Sequence, residues 1–176
     1  NLDRHISNLR DNYGVPVVVS INKFVSDTQA EVDLVMDHCK ALGVQVALSS
    51  HWANGGAGAT ELAHMVAALC EGDSTPANSP HASFVYPNEA SLWEKIELVA
   101  TKIYGAAEIT GSSKVRDRLK ELSDGGYGHL PVCIAKTPYS FSTDPALKGA
   151  PSQHVMDIRE VRLSVGAGFV VAICGD

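Results

Sequence analysis

The run Val15-Pro16-Val17-Val18-Val19-Ser20-Ile21 constrains the fold more than any other stretch of this chain. Its apolar residues are continuous rather than alternating, so a strand made from it asks to be covered on both faces, as strands of parallel sheets are. A parallel partner needs a crossover, usually a helix. The next residues supply one: Thr28-Gln29-Ala30-Glu31 has the capping-box pattern, Val32, Val35, Met36, Cys39 and Leu42 recur at helical spacing, and Gly43 ends the pattern. Val44-Gln45-Val46-Ala47-Leu48-Ser49 is then the second strand. A glycine-rich stretch, Asn54 to Gly58, leads into a predicted amphipathic helix over 60–71, with Leu62, Met65, Val66 and Leu69 as its apolar stripe. A helix over 2–13, stopped by Gly14, precedes the whole. The first half therefore reads as an α/β unit built on a parallel βαβ element.

Gly72 to His81 is rich in Ser, Pro, Asn and Gly and reads as a linker, which sets a domain boundary near residue 80. Beyond it the pattern predicts helices at about 89–104 and 113–122, a turn over 124–128 and a strand over 130–135. A proline-bearing loop follows over 137–152. Residues 155–163 alternate as a strand, 165–168 break the chain, and Phe169 to Cys174 forms a second apolar strand. The second half, 81–176, reads as a smaller α+β domain after the α/β domain of residues 1–80.

Composition narrows the function classes. Fourteen Lys and Arg against twenty Asp and Glu leave a net charge of −6, the wrong sign for coating a phosphate backbone, so nucleic acid is not expected as a partner. No apolar run approaches the roughly 20 residues that span a bilayer, and the opening residues lack a signal-peptide layout, so the protein is expected in the cytoplasm. Cys39, Cys70, Cys133 and Cys174 are far apart among apolar neighbours, and the histidines lack ligand spacing; all four thiols are expected to be reduced core residues and no metal site is assigned. The chain opens without Met and closes directly after an apolar strand, which reads as a piece of a longer protein.

The chemistry is sought at one sheet edge. Two parallel strands joined by one right-handed crossover send the loops after both strands to the same edge, where open α/β sheets bind ligands. Those loops are Asn22-Lys23-Phe24-Val25-Ser26-Asp27 and Ser50-His51-Trp52-Ala53-Asn54-Gly55-Gly56. Each contributes one aromatic residue, and two facing rings can hold a flat heterocycle; alternatively both rings roof the local core. Gly55-Gly56-Ala57-Gly58 ahead of a helix could present backbone N–H groups to an anion, and Gly56 is expected to need a positive φ or a close backbone approach. Asn22-Lys23 resembles the base-reading loop of P-loop GTPases, but Val25 stands where that loop has Asp; Asp27 is the nearest acid, with helix capping as its other role. Lys136 is a candidate for an anionic substrate. Arg159 and Arg162 are expected on opposite faces of one strand, so that at most one reaches a shared ligand. There is no GxxxxGK[ST] loop.

At these residues the chain resembles formate–tetrahydrofolate ligase, and the resemblance runs over nearly all of it. It is carried by Gly14-Val15-Pro16-Val17-Val18-Val19, Ile21-Asn22-Lys23-Phe24 with Asp27-Thr28, His51-Trp52-Ala53 with Gly55-Gly56, Ile103-Tyr104-Gly105-Ala106, Leu130-Pro131-Val132-Cys133, Arg159-Glu160-Val161-Arg162 and Val165-Gly166-Ala167-Gly168-Phe169. The family often has Pro where this chain has Val25, and Gly-Phe or Asn-Phe where it has Gln153-His154.

The resemblance implies a P-loop NTPase-like ligase in which ATP phosphorylates formate and tetrahydrofolate captures the formyl group. It implies magnesium with the ATP, a monovalent cation as activator, and a homo-oligomer, commonly a tetramer. It also implies that Phe24 and Trp52 flank the folate ring system, with Asn22, Asp27, Leu48, Gly55 and Gly56 as supporting positions. The family's P-loop and its formyl-phosphate arginine belong to a part of the sequence upstream of Asn1, so no catalytic residue is assigned here and these residues are not expected to turn over alone. The competing reading is a nucleotide-binding regulatory module related to P-loop GTPases, and a third is a purely structural or assembly domain.

Overall fold

Strands β1 (Val18–Asn22) and β2 (Gln45–Ser49) pair in parallel, from Val18 opposite Gln45 to Asn22 opposite Ser49. The ladder starts three residues later than the apolar run, because Pro16 has no N–H to give it. In the computed structural model, residues 1–71, 82–135, 137 and 140–175 are described. They divide into two units, residues 14–82 and residues 1–13 with 83–176. The expected linker and the boundary near residue 80 fall outside the described residues.

The unit of residues 14–82 is mixed α/β. Helix α2 (Gln29–Ala41) makes the crossover and starts with the predicted capping box: the Thr28 hydroxyl accepts from Glu31 N, and the Glu31 carboxylate accepts from Thr28 N at 2.9 Å. Helix α4 (Thr60–Glu71) packs on β2 and β1. Val32 and Cys39 of α2 and Val44, Ala47 and Ser49 at β2 are buried. The strand expected to be covered on both faces is only partly so, since no residue of β1 is fully buried. The α4 stripe is narrower than expected: Leu62, Met65 and Leu69 are half-buried, whereas Val66 is exposed.

The other unit gathers α1 (Leu2–Ser7) and its continuation through residue 12 with α5 (Leu92–Lys102), β3 (Glu108–Gly111), α6 (Ser113–Leu122), β4 (Val132–Ala135), β5 (Val155–Ile158), β6 (Glu160–Ser164) and β7 (Phe169–Ile173). The first 13 residues belong here because Asn8, itself buried, donates from Nδ2 to Ile103 O at 2.9 Å, and Asn12 donates to Lys102 O at 3.3 Å. Carbonyls at the end of α5 have no partner within the helix, and these amides supply one. β3 pairs in parallel with β5, while β4, β7 and β6 lie in that order, β4 parallel and β6 antiparallel to β7. Leu92, Ile96 and Ala100 of α5, Val115, Leu119 and Leu122 of α6, and Met156, Ile158, Val170 and Ala172 of the strands form one core.

Lys95 lies inside this unit with 1% exposure, its ammonium donating to the carbonyls of Gly128, His129 and Leu130, each at 3.2 Å. Burial lowers its pKa, and the Glu89 carboxylate opposes that shift.

Three expectations change here. The alternating run 155–163 is two strands in different sheets, and the chain switches at Arg159, whose N–H donates to Ile173 O at 2.8 Å. Arg159 and Arg162 therefore do not alternate on one strand; both line a cleft of about 1010 Å³ between α6 and β6, where Arg162 forks onto Glu160 at 2.7 and 2.9 Å. Cys70 and Cys133 are exposed, because one sits on the outward side of α4 and the other alternates outward from β4; Cys39 and Cys174 are buried as expected. Burial, with the Asp157 charge adding to it, pushes the Cys174 thiol up to about 12. Among the described residues no helix is long and apolar enough to cross a membrane.

Candidate ligand site at the β1 and β2 strand ends

The register that pairs Asn22 with Ser49 makes these two residues the last of their strands, so the loops that follow leave the sheet at one edge. Lys23 N donates to Ser49 O at 2.9 Å, which carries the pairing one step past the ladder. The next residue on the first loop is Phe24, 49% exposed; on the second loop, Trp52 is 74% exposed.

The first loop closes on itself. Phe24 N donates to Asp27 Oδ2 at 2.8 Å, and Asp27 N donates to Phe24 O at 3.1 Å. Asp27 is thus committed to holding the Phe24 backbone, while Thr28 caps the helix and Val25 stands in solvent at 94% exposure. The Glu31 carboxyl beside it is held below its ordinary pKa by the hydrogen bonds from the Thr28 hydroxyl and backbone N–H.

The second loop is wound rather than open. Ser50 precedes a short helical turn, α3 (His51–Asn54), followed by a tighter turn, Gly55–Ala59, that runs into α4. Asn54 Nδ2 donates to Ser50 Oγ at 3.0 Å, and Ser50 N donates to Gly58 O at 3.0 Å, closing the segment at both ends. The glycine requirement differs from the expected one. Gly55 has the positive φ, 58°, and Gly58 has the close approach, since a Cβ there would stand 2.5 Å from Ser50 C; a Cβ at Gly56 would meet nothing within 4 Å.

Of the supporting positions, Asn22 is exposed at the strand end and Leu48 is half-buried, paired with Ile21 inside the ladder. Lys136 lies outside the described residues. Two contacts escaped the sequence reading. Ser49, 1% exposed, shares a 2.8 Å hydrogen bond between its Oγ and His51 Nδ1, and Gly58 closes the loop. A serine on the same strand face as buried Ala47 signals that a hydroxyl needs a partner, but nothing in the sequence separates Gly58 from its neighbouring glycines. Among the described residues no group of three or more His, Cys, Asp or Glu could hold a metal ion.

Comparison with known proteins places the chain in a family. The family model described as formate–tetrahydrofolate ligase matches residues 1–176. Proteins named formate–tetrahydrofolate ligase from Granulibacter bethesdensis and Methylococcus capsulatus are 54% and 56% identical over the full chain, and one from Pelagibacter ubique is 49% identical over 99% of it. The chain spans 30% of the length of each of these relatives. A family model covering every residue, with about half of the positions identical in these relatives, establishes that the chain belongs to the formate–tetrahydrofolate ligase family.

Proposed function

We propose that this chain supplies the tetrahydrofolate end of an ATP-dependent ligase that makes 10-formyltetrahydrofolate. In this reading formate attacks the terminal phosphate of ATP, giving formyl phosphate and ADP. N10 of tetrahydrofolate then attacks the formyl carbon, phosphate leaves, and the N10 proton is lost to solvent or base. Phe24 and Trp52 form the walls of a slot for the flat part of tetrahydrofolate, with Asn22, Asp27, Leu48, Gly55 and Gly56 around it. ATP, magnesium, formate and the activating monovalent cation are held by the remainder of the parent, to which no residue of this chain is assigned. The expected first domain is read as the end of a P-loop NTPase-like nucleotide-binding domain, now residues 14–82, and the second as a smaller α+β domain, now 83–176 joined by residues 1–13, in a cytoplasmic homo-oligomer.

The observation that carries the reading is the Asn22–Ser49 register, which sends two exposed aromatic rings off the same sheet edge. A tryptophan three-quarters exposed is poorly used as a roof for its own core, and Asp27 is turned back onto Phe24 rather than free to read a base; both favour the folate reading over a GTPase-like module. The test is Trp52→Ala in the full-length enzyme. Stacking adds about 0.5–1.5 kcal/mol to the burial of the ring face, so tetrahydrofolate should weaken by at least about tenfold, with ATP and formate nearly unchanged. Folate affinity within about twofold of the parent, with Trp52 emission indifferent to folate, overturns the slot.

A further inference from the structure

We propose that Ser49 and His51 act as a positioning pair that sets the spacing of the Phe24 and Trp52 walls, an inference that rests on the folate reading above. Ser49 makes two bonds that leave in different directions. Its carbonyl accepts from Lys23 N at 2.9 Å, one residue before Phe24, and its hydroxyl bonds His51 Nδ1 at 2.8 Å, one residue before Trp52. One buried residue therefore fastens the residue that precedes each ring.

The first bond is the parallel ladder's own continuation, which any residue at position 49 would give; the hydroxyl bond is not demanded by the ladder. Ala47, on the same face of β2 two residues earlier, is equally buried and carries no hydroxyl, so packing alone would accept alanine at position 49. A buried hydroxyl must instead be hydrogen-bonded, and the imidazole supplies the bond. His51 is otherwise exposed, and an exposed ring left unbonded would turn among its rotamers. Holding it fixes the first residue of the α3 turn, whose second residue is Trp52.

The full-length enzyme with Ser49→Ala, His51→Ala, His51→Asn, His51→Gln and Trp52→Ala tests this through separate KM and kcat values. An Asn side chain carries a polar atom where Nδ1 sits; a Gln side chain carries one where Nε2 sits. Ser49→Ala and His51→Ala should each raise the KM for tetrahydrofolate by about threefold to tenfold, the range a misplaced stacking ring gives, with kcat and the KM values for ATP and formate within about twofold. The double Ala variant should be no worse than either single one, because each removes the same bond. His51→Asn should restore the folate KM and His51→Gln should not. The reverse order, Gln restoring and Asn failing, would mean that His51 touches the ligand directly and would overturn the positioning role. Neutral Ser49→Ala and His51→Ala beside a damaging Trp52→Ala would also overturn it while leaving the slot intact. A neutral Trp52→Ala removes both. Because His51 is exposed, its variants decide the matter even if the change at buried Ser49 unfolds the protein.

Discussion

A methyl group on Gly58 would stand 2.5 Å from the carbonyl carbon of Ser50 and 2.7 Å from His51 N. Both are backbone atoms that no rotamer change can move. Gly58→Ala should therefore push α3 off the end of β2, destabilising the loop by about 1–3 kcal/mol and raising the folate KM in the full-length enzyme. Gly56→Ala, with no protein atom near the added methyl, should leave the unfolding midpoint within error. Equal losses of stability from the two substitutions, measured by thermal unfolding, would show that the approach at Gly58 is not maintained in solution.

Gln153 adopts φ 60°, the one non-glycine residue with positive φ among the described residues, and the next residue, His154, is buried with neither ring nitrogen partnered. The resemblance explains both: Gly or Asn suits the left-handed backbone, and Phe suits the buried site. Gln153→Gly should stabilise by roughly 1 kcal/mol, and His154→Phe should remove a penalty of about 1–3 kcal/mol for unpartnered polar atoms. Denaturant midpoints of the two variants and their double check this, and a lowered midpoint for His154→Phe would mean that the imidazole has a partner in solution.

The carboxyls of Glu31 and Glu94 are held below their ordinary 4.5 by hydrogen bonds from Thr28 and Ser91 at the starts of α2 and α5. A pKa depressed in the folded state means that the unfolded chain binds protons more readily, so their contribution is present above pH 4.5 and is lost as the pH falls through the lower folded values. Glu31→Gln with Glu94→Gln should flatten the acid limb of the unfolding midpoint. An acid limb as steep as that of the parent would assign it to other carboxylates.

Lys95→Met keeps the length of the side chain and removes three hydrogen bonds to Gly128, His129 and Leu130. Gly128 and Leu130 are half-buried and His129 is exposed, so water can reach part of the freed carbonyls; with about 1–3 kcal/mol for each group that stays unsatisfied, a loss of roughly 2–4 kcal/mol is expected. Its depressed pKa adds a sign: stability gained above the ordinary value of 10.5 is lost as the pH falls through the folded value. Lys95→Met should lack that alkaline gain.

Local chemistry made parts of this structure legible. The bounds of α4 and α6 and the capping box of α2 follow from side chains within a few residues of one another. β3 was not read as a strand, because Glu108-Ile109-Thr110-Gly111 is short and its partner begins at Val155. The switch at Arg159 does leave a mark in the sequence, because the buried positions are Met156 and Ile158 on β5 but Val161 on β6, and the adjacent polar pair Arg159-Glu160 stands where the phase slips. At the candidate site the rings were visible as residue types, whereas the Ser49–His51 bond depends on how α3 winds.

Viewed as ion coordination, the loop at 128–130 is a carbonyl cage whose cation is covalently attached. A potassium ion in such a ring would come and go with its concentration in the medium; the Lys95 ammonium, delivered by α5, is present at a fixed local concentration whenever the helix is folded. The shape of this loop is therefore insulated from the salt composition around the protein.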